Sequence, residues 1–191
     1  MSDRELLKAL GILRKDGITR AGALFLCDNS ILNERFPQHE VIYLYQSRET
    51  EIEKRENFKL PLLTILEKLT QYIEVRNPTR TLKVGLFHID IPSYPVETFR
   101  EAILNALCHR DYLEPGSIYV RHSPQEMVIS NPGGFIGGIT PYNILVHEPK
   151  QRNRHLAEIL EKIGLVERAG IGRRRIFIPM LSYGKKTPCY E

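Results

Sequence analysis

Glu101 and Asn105 stand four residues apart, so on a helix a carboxylate and a carboxamide are directed into the same space. That pair is also what the polar face of any amphipathic helix offers, and alone it does not choose between a site and a solvated surface. Two glycine segments add weight. Asn131-Pro132-Gly133-Gly134 is followed after a short step by Gly137-Gly138, and Glu167-Arg168-Ala169-Gly170-Ile171-Gly172-Arg173 comes later. Glycine lets backbone N–H groups approach a phosphate and adopts positive φ freely. A helix starting near Arg173 would favour an anion at its N-terminus through unsatisfied N–H groups and the helix dipole. Polar helix, strand–glycine loop and glycine loop–arginine, in that order, are harder to dismiss than any one of them.

Other motifs fall away on inspection. His109-Arg110-Asp111 mimics a kinase catalytic loop, but Gly116 stands where the metal-binding Asn belongs. Gly184-Lys185-Lys186-Thr187 lacks the upstream glycine of a P-loop and has Lys186 in place of Ser or Thr. None of the six histidines forms an HExxH pair.

The elements that must position these residues follow from periodicity. Val96–His109 reads as a helix started by Pro95, with Phe99, Ile103, Ala106 and Leu107 on one side and Glu101, Asn105, Cys108 and Tyr112 on the other. Upstream, an apolar helical pattern runs from Leu6 to Leu13 and breaks at Asp16-Gly17. A second helix is expected over Thr19–Cys27 and a strand over His39–Gln46. The charged stretch Glu49–Asn57 reads as a solvated loop, and Leu62 to Ile73 as an amphipathic helix. Composition shifts near Asn77-Pro78-Thr79-Arg80, which divides the chain into an N-terminal segment, 1–80, and a second domain, 81–191. The second part should open with a strand over Leu82–Ile89. Ser117–His122 and Glu126–Asn131 read as a hairpin, and a helix is expected near Arg154–Ile163. The expected class is α+β, with helices on one face of a mostly antiparallel sheet.

Composition sets the outer bounds. Lys and Arg outnumber Asp and Glu by 27 to 23, a net +4 that is too weak to establish nucleic-acid binding. A direct DNA-binding reading would use the helix His155–Glu167 and the basic residues Arg168, Arg173, Arg174 and Arg175. Apolar runs are too short to span a membrane, and Asp3, Arg4 and Glu5 stand where a signal peptide needs an apolar core. Cys27, Cys108 and Cys189 are scattered and form no CxxC. The expectation is a cytoplasmic protein.

Arg100-Glu101-Ala102-Ile103-Leu104-Asn105-Ala106-Leu107-Cys108-His109-Arg110-Asp111-Tyr112, followed by Ile129-Ser130-Asn131-Pro132-Gly133-Gly134, resembles the C-terminal region of RecG-related transcriptional regulators. That region is similar to the GHKL, or Bergerat-fold, ATP-binding domain of gyrase, Hsp90, histidine kinases and MutL, and the resemblance covers about residues 89–183. Residues around Leu7–Phe36 resemble the segment that follows a Schlafen/AlbA-type DNA-binding domain in the same proteins. The resemblance implies ATP and Mg²⁺ as cofactors, with Glu101 as general base for water and Asn105 as the Mg²⁺ ligand. It places Asn131, Gly133 and Gly134 in the adenine-recognising box and Gly170 and Gly172 as the last phosphate-facing glycines. Gly137 and Gly138 are candidates for nucleotide binding only as glycines that let backbone N–H groups approach a phosphate. It also implies DNA as a partner of the full-length protein and is compatible with a homodimer. Two positions depart from the pattern. Asn131 replaces an Asp and loses a charge-assisted bond, and Ile171 stands where a hydroxyl residue is common. A non-catalytic dimerisation or regulatory module is the alternative.

Overall fold

A computed structural model describes residues 1–48, 51–166 and 172–191. Its first helix, α1 (Asp3–Leu10), is closed by a capping box: Ser2 N–H donates to the Glu5 carboxylate at 2.7 Å and Glu5 N–H to Ser2 Oγ at 3.4 Å. A tight ribbon of β1 (Leu13–Arg14) and β2 (Gly17–Ile18) leads into α2 (Arg20–Leu26), capped by Thr19. The helix α3 (Asn29–Arg35) was not anticipated. Its signal is Asp28, whose carboxylate accepts from the N–H groups of Ser30 and Ile31 at 3.0 and 3.1 Å.

Strands β3 (Val41–Tyr45) and β4 (Lys54–Phe58) pair antiparallel, and α4 (Leu62–Val75) follows. The loop expected over 49–57 therefore contains a strand. Its charged residues suit a sheet edge, where side chains such as Lys54 and Glu56 (2.6 Å apart) reach solvent and discourage further pairing. The strand expected over 82–89 is instead a hairpin, β5 (Thr79–Val84) and β6 (Phe87–Pro92), because Gly85 takes φ +60° and turns the chain. Then come α5 (Val96–His109), the hairpin β7 (Ile118–His122) and β8 (Met127–Ser130), α6 (Arg154–Lys162) and α7 (Gly172–Ser182).

The architecture is α+β. Its four-stranded sheet has the order β4-β3-β7-β8, and β3 and β7 run parallel, with Val41 opposite Ile118 and Tyr43 opposite Val120. The sheet thus joins strands from both sides of the division expected near residue 80. The inward residues of these strands merge with Ile65, Leu69 and Ile73 of α4 and Phe99, Ile103 and Leu107 of α5 in one apolar core. On the opposite face, Arg55, Arg121, Val128 and Ser130 are exposed.

Parallel neighbours cannot be joined by a short turn, so β3 and β7 need another means of alignment. Arg110 supplies it. The side chain is wholly buried at 0% exposure, and its Nη2 donates to the carbonyls of Gln38 (2.6 Å) and Gly116 (2.7 Å), which lie just before the two strands. Tyr112 lies beneath the guanidinium at 5.6 Å. Glu40 completes the junction: its carbonyl accepts from Ile118 N–H at 3.0 Å and its carboxylate from Ser117 Oγ at 2.5 Å. Lysine cannot span both carbonyls in one plane. Arg110→Lys should lower stability by about 2–3 kcal/mol in urea titration.

His122 lies at the other end of the same strand pair, 1% exposed, with its Nδ1 2.9 Å from the Tyr43 hydroxyl and the rings of Tyr45 and Tyr94 against it. Burial first, and the positive charge of Arg76 second, push its pKa from 6.5 down to about 4. The unfolded chain therefore takes up this proton before the folded one does, and stability falls as pH drops from 6.5 toward 4. Urea midpoints measured across that window should show a shallower pH slope for His122→Phe. A residual slope is expected from His39 and His109, which burial also holds below the ordinary histidine range.

Candidate nucleotide site

The helix α5 has no solvent face along its middle. Phe99, Ile103 and Leu107 pack into the core as the periodicity requires, but Glu101 is only 5% exposed and Cys108 is buried on the side expected to be open. The cover is α7, which lies against α5. Pro179 sits inside α7 and has no N–H for the carbonyl of Arg175. The Thr98 hydroxyl of α5 reaches that region, lying 3.3 Å from the carbonyl of Ile176 and 3.5 Å from that of Arg175. A proline that would weaken an isolated helix is thus matched by a donor on its neighbour.

The start of α7 meets α5 at Glu101. A Cβ on Gly172 would collide with the Glu101 carboxylate and would lie 2.9 Å from its Cδ. Only glycine permits this approach, so the carboxylate of one motif is brought against the glycine of another some seventy residues later. A cleft of about 500 Å³ opens beside this contact, lined by Glu97, Arg100, Glu101 and Leu104 of α5 and by Arg174 and Pro179 of α7. One turn beyond Glu101, Asn105 is half-buried, and its amide makes no hydrogen bond among the described residues.

The next turn carries His109. Burial and the nearby guanidiniums of Arg152 and Arg173 hold it below the ordinary histidine pKa. Arg173 donates to the carbonyl of His147 at 2.8 Å and is half-buried, which withdraws it from the exposed basic patch considered for DNA. The C-terminal end of α5 is closed by Asn153, whose Nδ2 donates to the carbonyls of Cys108 (2.8 Å) and Arg110 (2.7 Å).

The first glycine segment is strapped across this same end of α5. Asp111 N–H donates to the carbonyl of Pro132 at 3.0 Å, and Arg152 bridges the Asp111 carboxylate and the Gly134 carbonyl, both at 2.7 Å. Gly133 takes φ +96°, and a Cβ there would lie 2.9 Å from Cβ of Asp111. Gly137 and Gly138 form the following bend, tied by Asn143 Nδ2 donating to the Gly138 carbonyl at 2.9 Å. Asn131 is half-buried, with an amide that makes no hydrogen bond among the described residues.

Of the residues singled out from sequence, Glu101 and Gly172 are therefore in contact, with Asn105 adjacent on the helix. Asn131, Gly133, Gly134, Gly137 and Gly138 belong to the opposite end of α5 and do not line the cleft beside Glu101. Gly170 lies outside the described residues. Sequence reasoning missed Thr98, Arg152 and Asn153, which hold the neighbouring segments. It also missed Tyr190, which stacks on Phe177 at 6.2 Å between ring centroids and feels the charges of Arg173 and Glu101. None belongs to a spaced motif. Among the described residues no three His, Cys, Asp or Glu side chains converge as a metal site.

Residues 116–191 match the family described as "Putative ATP-dependent DNA helicase recG C-terminal". Across 98% of its length the chain is similar to the crystal structure of the DIP2311 protein from Corynebacterium diphtheriae, with a TM-score of 0.85 and 28% identity. It spans 38% of that protein's chain. No curated protein is matched, and no described helix is long and apolar enough to cross a membrane.

The contact between Glu101 and Gly172 can be tested directly. Gly172→Ala should destabilise by about 1–3 kcal/mol through overpacking. Combining it with Glu101→Ala should cost less than the two single changes added together, since the colliding carboxylate is gone.

Proposed function

We propose that residues 81–191 form an ATP-binding module of GHKL type within a cytoplasmic, RecG-related transcriptional regulator. Residues 1–80 would be the segment that follows its Schlafen/AlbA-type DNA-binding domain, and DNA would be a partner of the full-length protein. The observation that carries this reading is the buried Glu101 carboxylate held against Gly172, with the Asn105 amide, which makes no hydrogen bond among the described residues, one turn away. The family description of residues 116–191 as ATP-dependent supports it.

In this reading Glu101 accepts a proton from water, a role that general-base catalysis rewards by about 10²–10⁴-fold. A divalent cation would supply charge neutralisation at the phosphates. Asn105, with an oxygen no other described group uses, is the side chain fitted to hold it. By the resemblance the Asn131 amide would receive the adenine amino group and Gly170 and Gly172 would face the phosphates, although Asn131 stands at the other end of α5 from the cleft beside Glu101. Asn131 in place of Asp removes a charge-assisted bond and so lowers the affinity for adenine.

A second reading, a non-catalytic regulatory or dimerisation module, draws on one observation. The Gly133–Gly134 turn is engaged by Asp111 and Arg152 rather than left open to a ligand.

The two readings separate in a thermal-shift titration with ATP and Mg²⁺, because a ligand at a hundred times its dissociation constant adds about 2.7 kcal/mol. A rise in Tm supports the module, and no rise at millimolar nucleotide overturns it. Glu101→Gln should keep the Tm response while losing phosphate release. Asn105→Ala should weaken Mg²⁺-dependent binding by roughly tenfold or more.

A further inference from the structure

The hairpin β5–β6 stands apart from the core. Every residue of Thr79–Val84 is exposed, Leu86 at its tip is 96% exposed, and Phe87 is 73% exposed. The register pairs Leu82 with Ile89 and Val84 with Phe87, so these four share one face of the ribbon. The other face carries Thr81 bonded to Asp90 at 2.6 Å, and Lys83 opposite His88. An amphipathic ribbon that turns its apolar face to water lacks a partner, and a lone two-stranded hairpin is at best marginally stable.

Its root, by contrast, is firmly held. Asn77 Nδ2 donates to the carbonyl of Tyr94 at 2.7 Å, Tyr94 N–H donates back to Asn77 Oδ1 at 2.9 Å, and Ser93 N–H donates to the carbonyl of Pro78 at 2.8 Å. The arm therefore leaves the body from a fixed base and reaches about 20 Å at about 3.4 Å per residue.

A groove of about 490 Å³ lies between the two helices that flank this base in sequence, α4 and α5. Leu63, Leu66, Val96 and Leu165 give it apolar walls, and Glu67 and Glu74 give it an acidic rim, offset in part by Arg100. The arm presents the complement, an apolar face with Arg80 on that face and Lys83 near the tip. We propose that β5–β6 is an exchange arm that seats in the α4–α5 groove of a second copy of this chain, reciprocally about a two-fold axis.

Area favours this arrangement over arms packed only on each other. A stable dimer buries about 800 Å² on each partner, whereas one ribbon face of roughly 20 Å by 10 Å offers about a quarter of that. Reciprocal seating uses two arms and two grooves, and a base beside the groove lets both engage at once. The groove meets the Glu101 cleft at Arg100 and Leu165, but neither the arm nor the α4 wall lines that cleft, so the arm variant tests this proposal without altering the nucleotide site.

The test is sedimentation equilibrium on the full chain and on two variants, with circular dichroism and urea midpoints confirming that each is folded. The wild-type chain should have twice its 22.1 kDa mass. The arm variant Leu86→Asp/Phe87→Ser and the groove variant Leu63→Asp should each weaken the dimer at least a hundredfold. Mixed together, the two variants should form heterodimers more tightly than either self-associates, because one intact arm then meets one intact groove. A monomeric wild-type chain overturns the proposal. So does a groove variant that dimerises normally, or a mixture with no rescue.

Discussion

One guanidinium decides where the two portions of this chain meet. Arg110 ends α5 and holds the carbonyls of Gln38 and Gly116, the residues from which β3 and β7 set out side by side. A parallel pair has no turn to fix its register, and a slip by one residue would turn every inward side chain outward. Val41, Tyr43, Ile118 and Val120 all face the core, so register and core are the same constraint. The charge is kept in the interior by two carbonyls and an aromatic face, an arrangement that specifies a geometry more than it adds stability.

From that junction the rest of the site follows along α5. The sheet buries one side of the helix, α7 covers the other, and Asp111 and Asn153 fasten the loops at its C-terminal end. The His-Arg-Asp sequence at this end is thus structural throughout. His109 sits near two arginines, Arg110 aligns strands, and Asp111 anchors the Asn131–Gly134 turn. A carboxylate in so enclosed a position as Glu101 is what a base needs, and it is also what a packed helix interface can tolerate when glycine makes room.

Much of this was legible in the sequence and some was not, for physical reasons. Val96–His109, and Leu62–Ile73 within the observed Leu62–Val75, read correctly because each has a strong 3.6-residue apolar period, supported at Val96 by the preceding Pro95. The Ile118–His122 and Met127–Ser130 hairpin read correctly from alternation around a turn. Lys54–Phe58 did not, because an edge strand draws its pairing from β3 and can be charged throughout most of its length. The hairpin at Gly85 was hidden by an apolar run that continues across the turn. The burial of Glu101 was invisible for a different reason: the helix that covers it lies far along the chain, and a helical wheel shows only the polarity of a face, never its neighbour. Arg152 and Asn153 act by single contacts that leave no periodic trace.

The parallel pairing of β3 with β7 also sets an order of events during synthesis. Tyr45 and His122 end the paired strands and are 77 positions apart in the chain. At about 5–20 residues per second, β3 must wait roughly 4–15 s for its neighbour to be made. Its antiparallel partner β4 arrives almost at once, so the nascent chain carries a two-stranded ribbon whose β3 edge, with Val41, Ile42 and Tyr43, is uncovered until β7 docks. The sheet that unites the two halves of the chain is, for those seconds, its most adhesive surface.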